Sequence, residues 1–173
     1  WLILAGSTSA GGCMHVYRDM VKFGMIDAVV ATGASIVDMD FFEALGFKHY
    51  QAKADVDDRD LRALYIDRIY DTYIDEEELQ SCDATIKDIC DALEPRPYSS
   101  REFIHEMGKW LAAGNAKKPG SLIQTAYEEG VPMGGDLKPG AGKAPTFLGM
   151  AMKDPKSGNL DRIQIVKGWL DAA

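Results

Sequence analysis

The stretch Leu2-Ile3-Leu4-Ala5-Gly6-Ser7-Thr8-Ser9-Ala10-Gly11-Gly12-Cys13 decides the fold. A short apolar run ends in a chain of small residues. Cys13, Val16, Tyr17, Met20 and Val21 then recur at helical spacing until Gly24. The run at residues 2–5 is a buried strand, the small residues are a tight turn, and the stripe is a helix. Residues 26–32 (IDAVVAT) form a second apolar run, followed by Gly33 and Ala34. Strand, helix and strand within about thirty residues make a βαβ unit with parallel strands and a right-handed crossover. The fold class is therefore α/β, with part of a Rossmann-like parallel sheet and flanking helices.

Outward from that unit, a helix is predicted over about residues 37–45. Asp55, Asp57, Asp58 and Asp60 lack the Gly and Glu of a calcium loop and read as a solvated loop. Residues 70–74 suggest a short strand. Asp75-Glu76-Glu77-Glu78 has capping-box spacing ahead of a stripe of Leu79, Cys82, Ile86, Ile89 and Leu93. Ser99 to Glu102 cap another helix, and a third carries Leu122, Ile123, Ala126 and Tyr127 before Gly130.

The texture then changes. Residues 131–145 hold four glycines and three prolines. Residues 1–130 carry a net charge of −10 and residues 131–173 a net charge of +2. This divides the chain into 1–131 and 132–173, the latter a Gly/Pro-rich exposed connector followed by a short two-strand tail at 146–152 and 162–170.

Composition excludes several classes of function. The 173 residues have 46% hydrophobic and 27% charged side chains, enough for one medium core. A net charge of −8 disfavours nucleic acid and anionic membrane as partners, because both reward basic patches. No apolar run approaches the ~20 residues of a membrane span. Cys13, Cys82 and Cys90 form no CxxC and no disulfide framework, which suits a reducing cytoplasm. Opening at Trp1 straight into an apolar strand, the sequence has the look of a fragment.

Chemistry is most legible in the two turns. The turn at 6–12 is no Walker loop, since Gly12 and Cys13 stand where Lys and Ser/Thr are needed, and it is not GxGxxG. Small residues ahead of a helix N-terminus still allow close backbone approach to an anion, although a merely tight strand–helix turn has the same sequence. The second turn, Thr32-Gly33-Ala34-Ser35, falls at the same sheet edge by βαβ geometry, and two such turns make a crevice. Asp38 and Asp40 follow it. They are either acceptors for ribose hydroxyls or charges that complement a helix dipole. His15, His49 and His105 have no metal-ligand spacing, and no metal site is assigned. Lys167, in the alternating stretch 163–167, reads as part of an ordinary half-buried strand.

The words LAGSTSAGGCMHVYRDMVKFGMIDAVVATGASIVDMDFFEALGFKHYQ, LRALYIDRIYDTYI, SSREFIHEMGKWL and SLIQTAYEEGVP resemble the deoxyhypusine synthase family, above all its bacterial deoxyhypusine-synthase-like members. The likeness covers about residues 2–132. It implies a Rossmann-like sheet, a homotetramer, NAD as cofactor, and transfer of a polyamine's aminobutyl group through an imine on a catalytic lysine, with small amines as acceptors in bacterial relatives. It further implies NAD contacts at Ser7, Thr8 and Ser9 in the first turn and at Thr32, Gly33 and Ala34 in the second. Eukaryotic members have a Glu pair just beyond; Val37 and Asp38 stand there, so the ribose contact is half matched by Asp38.

The tail, with GVPMGGDL and LDRIQIVKGW, resembles a different and uncharacterised bacterial family, which puts a join near residues 130–132. The segment that carries the family's catalytic lysine has no counterpart here, and the role is not transferred to Lys167. The expectation is thus a fragment of a spermidine-type transferase without turnover. The alternatives are a non-catalytic nucleotide-binding or assembly fragment, or a function carried by the tail.

Overall fold

In the computed structural model, residues 1–6 and 8–134 are described, and Ser9 by its backbone alone. Strand β1 (Leu2–Leu4) pairs in parallel with β2 (Val29–Ala31), with Leu2 opposite Val29, Ile3 opposite Val30 and Leu4 opposite Ala31. Between them, a wide turn over Ser9–Cys13 leads into helix α1 (Met14–Lys22), which stops at Gly24 with φ +65°. Both strands are shorter than the apolar runs suggest. Ile26 is nonetheless buried, so the run reports burial more faithfully than pairing.

Helix α2 spans residues 33–44 and starts directly after Thr32, four residues earlier than the sequence suggests. Its middle, Ile36–Phe41, takes the wider i→i+5 hydrogen-bond pattern. Ser35, Ile36, Met39, Asp40, Phe41, Phe42 and Ala44 are all buried. The small, flexible Gly33-Ala34-Ser35 sits in the first turn because a helix N-terminus demands little of its opening residues; the apolar pattern begins only at Ile36.

A small antiparallel sheet follows in the order β3 (Tyr50–Gln51), β5 (Thr72–Asp75), β4 (Ile66–Ile69). The acidic stretch is not loop throughout. Asp57 accepts a hydrogen bond from the Arg59 N–H at 2.9 Å and so caps helix α3 (Asp58–Ala63). Strand β4 escaped the sequence reading because its alternation covers only four residues. Asp75 caps α4 (Glu76–Ala92), which buries Cys82 and Ile89 as its stripe requires. Ser99 and Glu102 form a full capping box on α5 (Ser100–Trp110), whose helical turns continue through Leu111–Asn115. Helix α6 (Leu122–Glu128) closes the series with Ser121 as N-cap.

Residues 132–134 join the main sheet. The Val29 N–H donates to the Pro132 carbonyl at 2.9 Å, the Gly134 N–H donates to the Val29 carbonyl at 2.8 Å, and Met133 bridges Val29 in parallel. Met133 is buried. The start of the expected exposed connector is therefore paired with the main sheet through Val29. The rest of the connector and the two-strand tail lie outside the described residues. One core unites Leu4 and Val29 of the sheet with Met14 and Val21 of α1, Phe41 and Phe42 of α2, and Leu122 and Ile123 of α6.

Candidate functional site

The parallel pairing puts the carboxyl ends of β1 and β2 side by side, where the Thr32 N–H donates to the Leu4 carbonyl at 3.3 Å. The turns that leave these ends are tied together by one buried side chain. The Ser35 hydroxyl donates to the Gly6 carbonyl at 2.5 Å and lies 3.3 Å from the Thr32 hydroxyl. Ser35 thus fixes the start of α2 against the exit of β1. Sequence reasoning placed it in the second turn without a role, and nothing local distinguishes it from any other first-turn serine.

Around that link the described residues leave space. Gly6 and Gly12 take φ values of +69° and +89°, which only glycine adopts without strain, and a Cβ added at Gly6, Gly11, Gly12 or Gly33 would meet no described residue within 4 Å. Thr8, Thr32 and Gly33 are exposed and Ala34 is half-buried. Thr32 has the extended backbone of an N-cap (φ −78°, ψ 157°), so the Gly33 and Ala34 N–H groups fall in the first turn, where a helix offers no internal acceptor. The structure brings Thr8, Thr32, Gly33 and Ala34 to one sheet edge; Ser7 and the Ser9 side chain lie outside what is described.

Asp38 is half-buried and faces another carboxylate. Burial, and then the negative charge of Asp83 on α4, push its carboxyl above the ordinary range. Next to it the Cys82 thiol contacts the Val37 carbonyl at 3.8 Å and is pushed up to about 12 by burial and by Asp83 and Asp38, which makes it inert.

Asp40 serves a helix N-terminus, as one of the two readings had it, but that of α6 and not of its own helix. Its fully buried carboxylate accepts from the Ser121 hydroxyl at 2.8 Å, the Leu122 N–H at 2.8 Å and the Ile123 N–H at 2.9 Å, and so caps α6 across the core. Burial raises its carboxyl to about 6 in spite of these donors, with Glu43 adding repulsion. Its place four residues after Ile36, on the core side of α2, was the available signal.

One turn on, Glu43 accepts from His49 Nδ1 at 2.9 Å and from Lys118 Nζ. The His49 hydrogen bond, followed by Lys118, holds the Glu43 carboxyl down at about 2. Among the described residues no group of three or more His, Cys, Asp or Glu side chains is placed to hold a metal ion.

A parallel β1–β2 pair with flanking helices and small-residue turns at its carboxyl edge defines an α/β protein. The family model described as deoxyhypusine synthase matches residues 1–134, and the chain belongs to that family. It is 86% identical over 133 residues to the deoxyhypusine synthase-like protein of Caulobacter vibrioides, a match covering 77% of this chain and 36% of that one. The corresponding protein of Coxiella burnetii is 72% identical over 132 residues, covering 76% of this chain and 38% of the relative. That of Elusimicrobium minutum is 58% identical over 135 residues, with 76% and 35% coverage. The chain therefore spans little more than a third of the length of the curated relatives it matches. A second model, described as a protein of unknown function (DUF3604), matches residues 100–173 and overlaps the first over 100–134.

Proposed function

We propose that the edge formed by the two turns is the NAD half-site of a polyamine aminobutyl transferase, and that these 173 residues by themselves do not turn over. The observation that carries the first part is the Ser35–Gly6 hydrogen bond, which fixes the two turns side by side, with no described residue within 4 Å of a Cβ added at Gly6 or Gly33. Bound NAD would supply a hydride acceptor for oxidation of the amine. The chain's own residues would hold it. The Gly33 and Ala34 N–H groups and the positive end of α2 would face its anionic diphosphate, the Thr8 and Thr32 hydroxyls would add hydrogen bonds, and Asp38 would accept from ribose hydroxyls.

Three of the lysines support the absence of turnover. Imine formation needs a neutral amine, and a lysine at its ordinary pKa of ~10.4 is almost wholly charged at pH 7. Lys87 and Lys109 are held further toward the charged form by Asp91 and Glu106, and Lys118 is paired with Glu43. None of these three is a desolvated free amine. The polyamine or small-amine substrate, the homotetramer and a cytoplasmic setting without nucleic-acid or membrane partners belong to the same reading. No helix among the described residues is long and apolar enough to cross a membrane.

Isothermal titration with millimolar NAD should give heats for the parent chain and at least several-fold weaker binding for Thr32→Val. Equal heats for the two, or none for either, would remove the cofactor reading. With spermidine and NAD, neither NADH absorbance nor a borohydride-trapped adduct should appear. A polyamine adduct on any lysine, lost when that lysine becomes Arg, would show turnover chemistry after all.

A further inference from the structure

Two hydroxyls and one carbonyl meet between the two turns, and proton counting fixes which way their hydrogen bonds run. The Gly6 carbonyl can only accept, so the buried Ser35 hydroxyl gives it its single proton across 2.5 Å. Ser35 then faces Thr32 with lone pairs alone. The 3.3 Å contact between the two hydroxyls therefore runs from Thr32 to Ser35. Thr32 has one proton as well, and it points inward.

The acceptor side of Thr32 stays unused. A threonine at an N-cap ordinarily accepts from a backbone N–H two or three residues on, but the Thr32 side chain makes no such bond. The Ser35 and Ile36 N–H groups donate instead to the Thr32 carbonyl, at 3.0 and 3.3 Å. Among the described residues the Ser35 hydroxyl is the one partner of the Thr32 hydroxyl. Thr32 is exposed, so it presents lone pairs and no proton at the edge. The Gly33 and Ala34 N–H groups beside it have the opposite polarity. A ligand that satisfies all three carries oxygens that accept and, next to them, an N–H or O–H that donates.

We infer that Thr32 reads the nucleotide as a hydrogen-bond acceptor, taking an N–H or O–H from a ribose, the carboxamide or the adenine amino group, and does not donate to the diphosphate. The inference rests on the NAD half-site proposed above and assigns the polarity of one of its contacts. A phosphate oxygen in that place would set lone pair against lone pair unless Thr32 gave up its bond to Ser35. Thr32 thereby selects which part of the dinucleotide lies over the start of α2.

The test is isothermal titration of the 173-residue chain, Thr32→Val and Thr32→Ser. The probes are NAD and analogues that each lack one donor: the deoxyribose forms, the form with a carboxylate for the carboxamide, and the form with hypoxanthine for adenine. Thr32→Val should bind NAD about three- to tenfold more weakly, as loss of one neutral hydrogen bond requires, and Thr32→Ser should stay within about twofold of the parent. One analogue should bind the parent more weakly than NAD by the same factor and be indifferent to Thr32→Val, because its bond is already missing. Thermal unfolding of both variants shows that a loss of binding is not a loss of folding. All the analogues keep the diphosphate. If every one of them loses affinity in Thr32→Val as NAD does, the hydroxyl donates to the anion and the inference is overturned. A Thr32→Ser variant as weak as Thr32→Val overturns it too, since the methyl group would then be what matters. Both results leave the cofactor reading standing, whereas absence of heat with NAD removes the two together.

Discussion

Asp40 keeps a carboxylate in the interior with three donors from one helix end around it. Its carboxyl stands at about 6 in the fold against an ordinary 3.8. A group raised by folding contributes stability that is complete below the lower value and is lost as pH climbs through the upper one. Stability from this site should therefore fall between about pH 4 and pH 6–7. Asp40→Asn removes the titration, so the parent should gain on the order of 2 kcal/mol relative to that variant between pH 7.5 and pH 4.5. Urea unfolding at the two values measures this, and parallel profiles for the two proteins would contradict it. Glu43, held down at about 2, acts oppositely and only at lower pH, so the comparison isolates Asp40. A carboxylate on the core side of an apolar stripe was visible in the sequence. Its partners 81–83 residues away were not, because no local pattern records a contact across the core.

At the scale of elements, α5 and α6 pack so closely that Gly108 has no room for a side chain. A Cβ there would stand 2.6 Å from the Tyr127 Cβ and 2.8 Å from the Ile123 carbonyl oxygen. Alanine is favoured over glycine in a helix interior by ~1 kcal/mol, whereas overpacking costs about 1–3 kcal/mol. The clash includes backbone, which cannot rotate away, so the second effect wins. Gly108→Ala should destabilise by about 1–2 kcal/mol in chemical unfolding; a stabilised variant would mean that the helices sit further apart. The N-caps of α4 and α5 and the stripes of α4, α5 and α6 were legible because each is written within one or two turns. The hairpin of β4 and β5 was half missed. Its two-residue connection uses Tyr70 at φ +56° in place of glycine or asparagine, so the usual turn signal is absent. Tyr70→Gly should relieve that backbone and stabilise the chain by ~1 kcal/mol, read as a raised unfolding midpoint.

For the molecule as a whole, the decisive feature is that a Gly/Pro-rich stretch begins paired with the main sheet through Val29. Met133 is buried and bridges Val29, with hydrogen bonds on both sides. Truncating such a side chain costs about 2–5 kcal/mol. Met133→Ala should accordingly lower stability by about 2 kcal/mol in the full chain, whereas a free connector would leave the midpoint unchanged. Composition marked 131–145 as unable to sustain a helix, and that holds for 132–134. Composition carries no information on whether an extended segment is solvated or paired, since pairing depends on an available neighbour.

The sequence by itself determined the parallel βαβ unit, the positions of the main helices, the shared edge of the two turns and the family. Each of these is encoded in short-range periodicity, in turn chemistry or in long matching words. Only the tertiary structure decided that Ser35 ties the turns together, that Asp40 caps α6, that Asp38 meets Asp83, and that Met133 enters the sheet. These are contacts between residues far apart in the chain, whose energies come from burial and from donors supplied by another element, and so they exist only once the elements have packed.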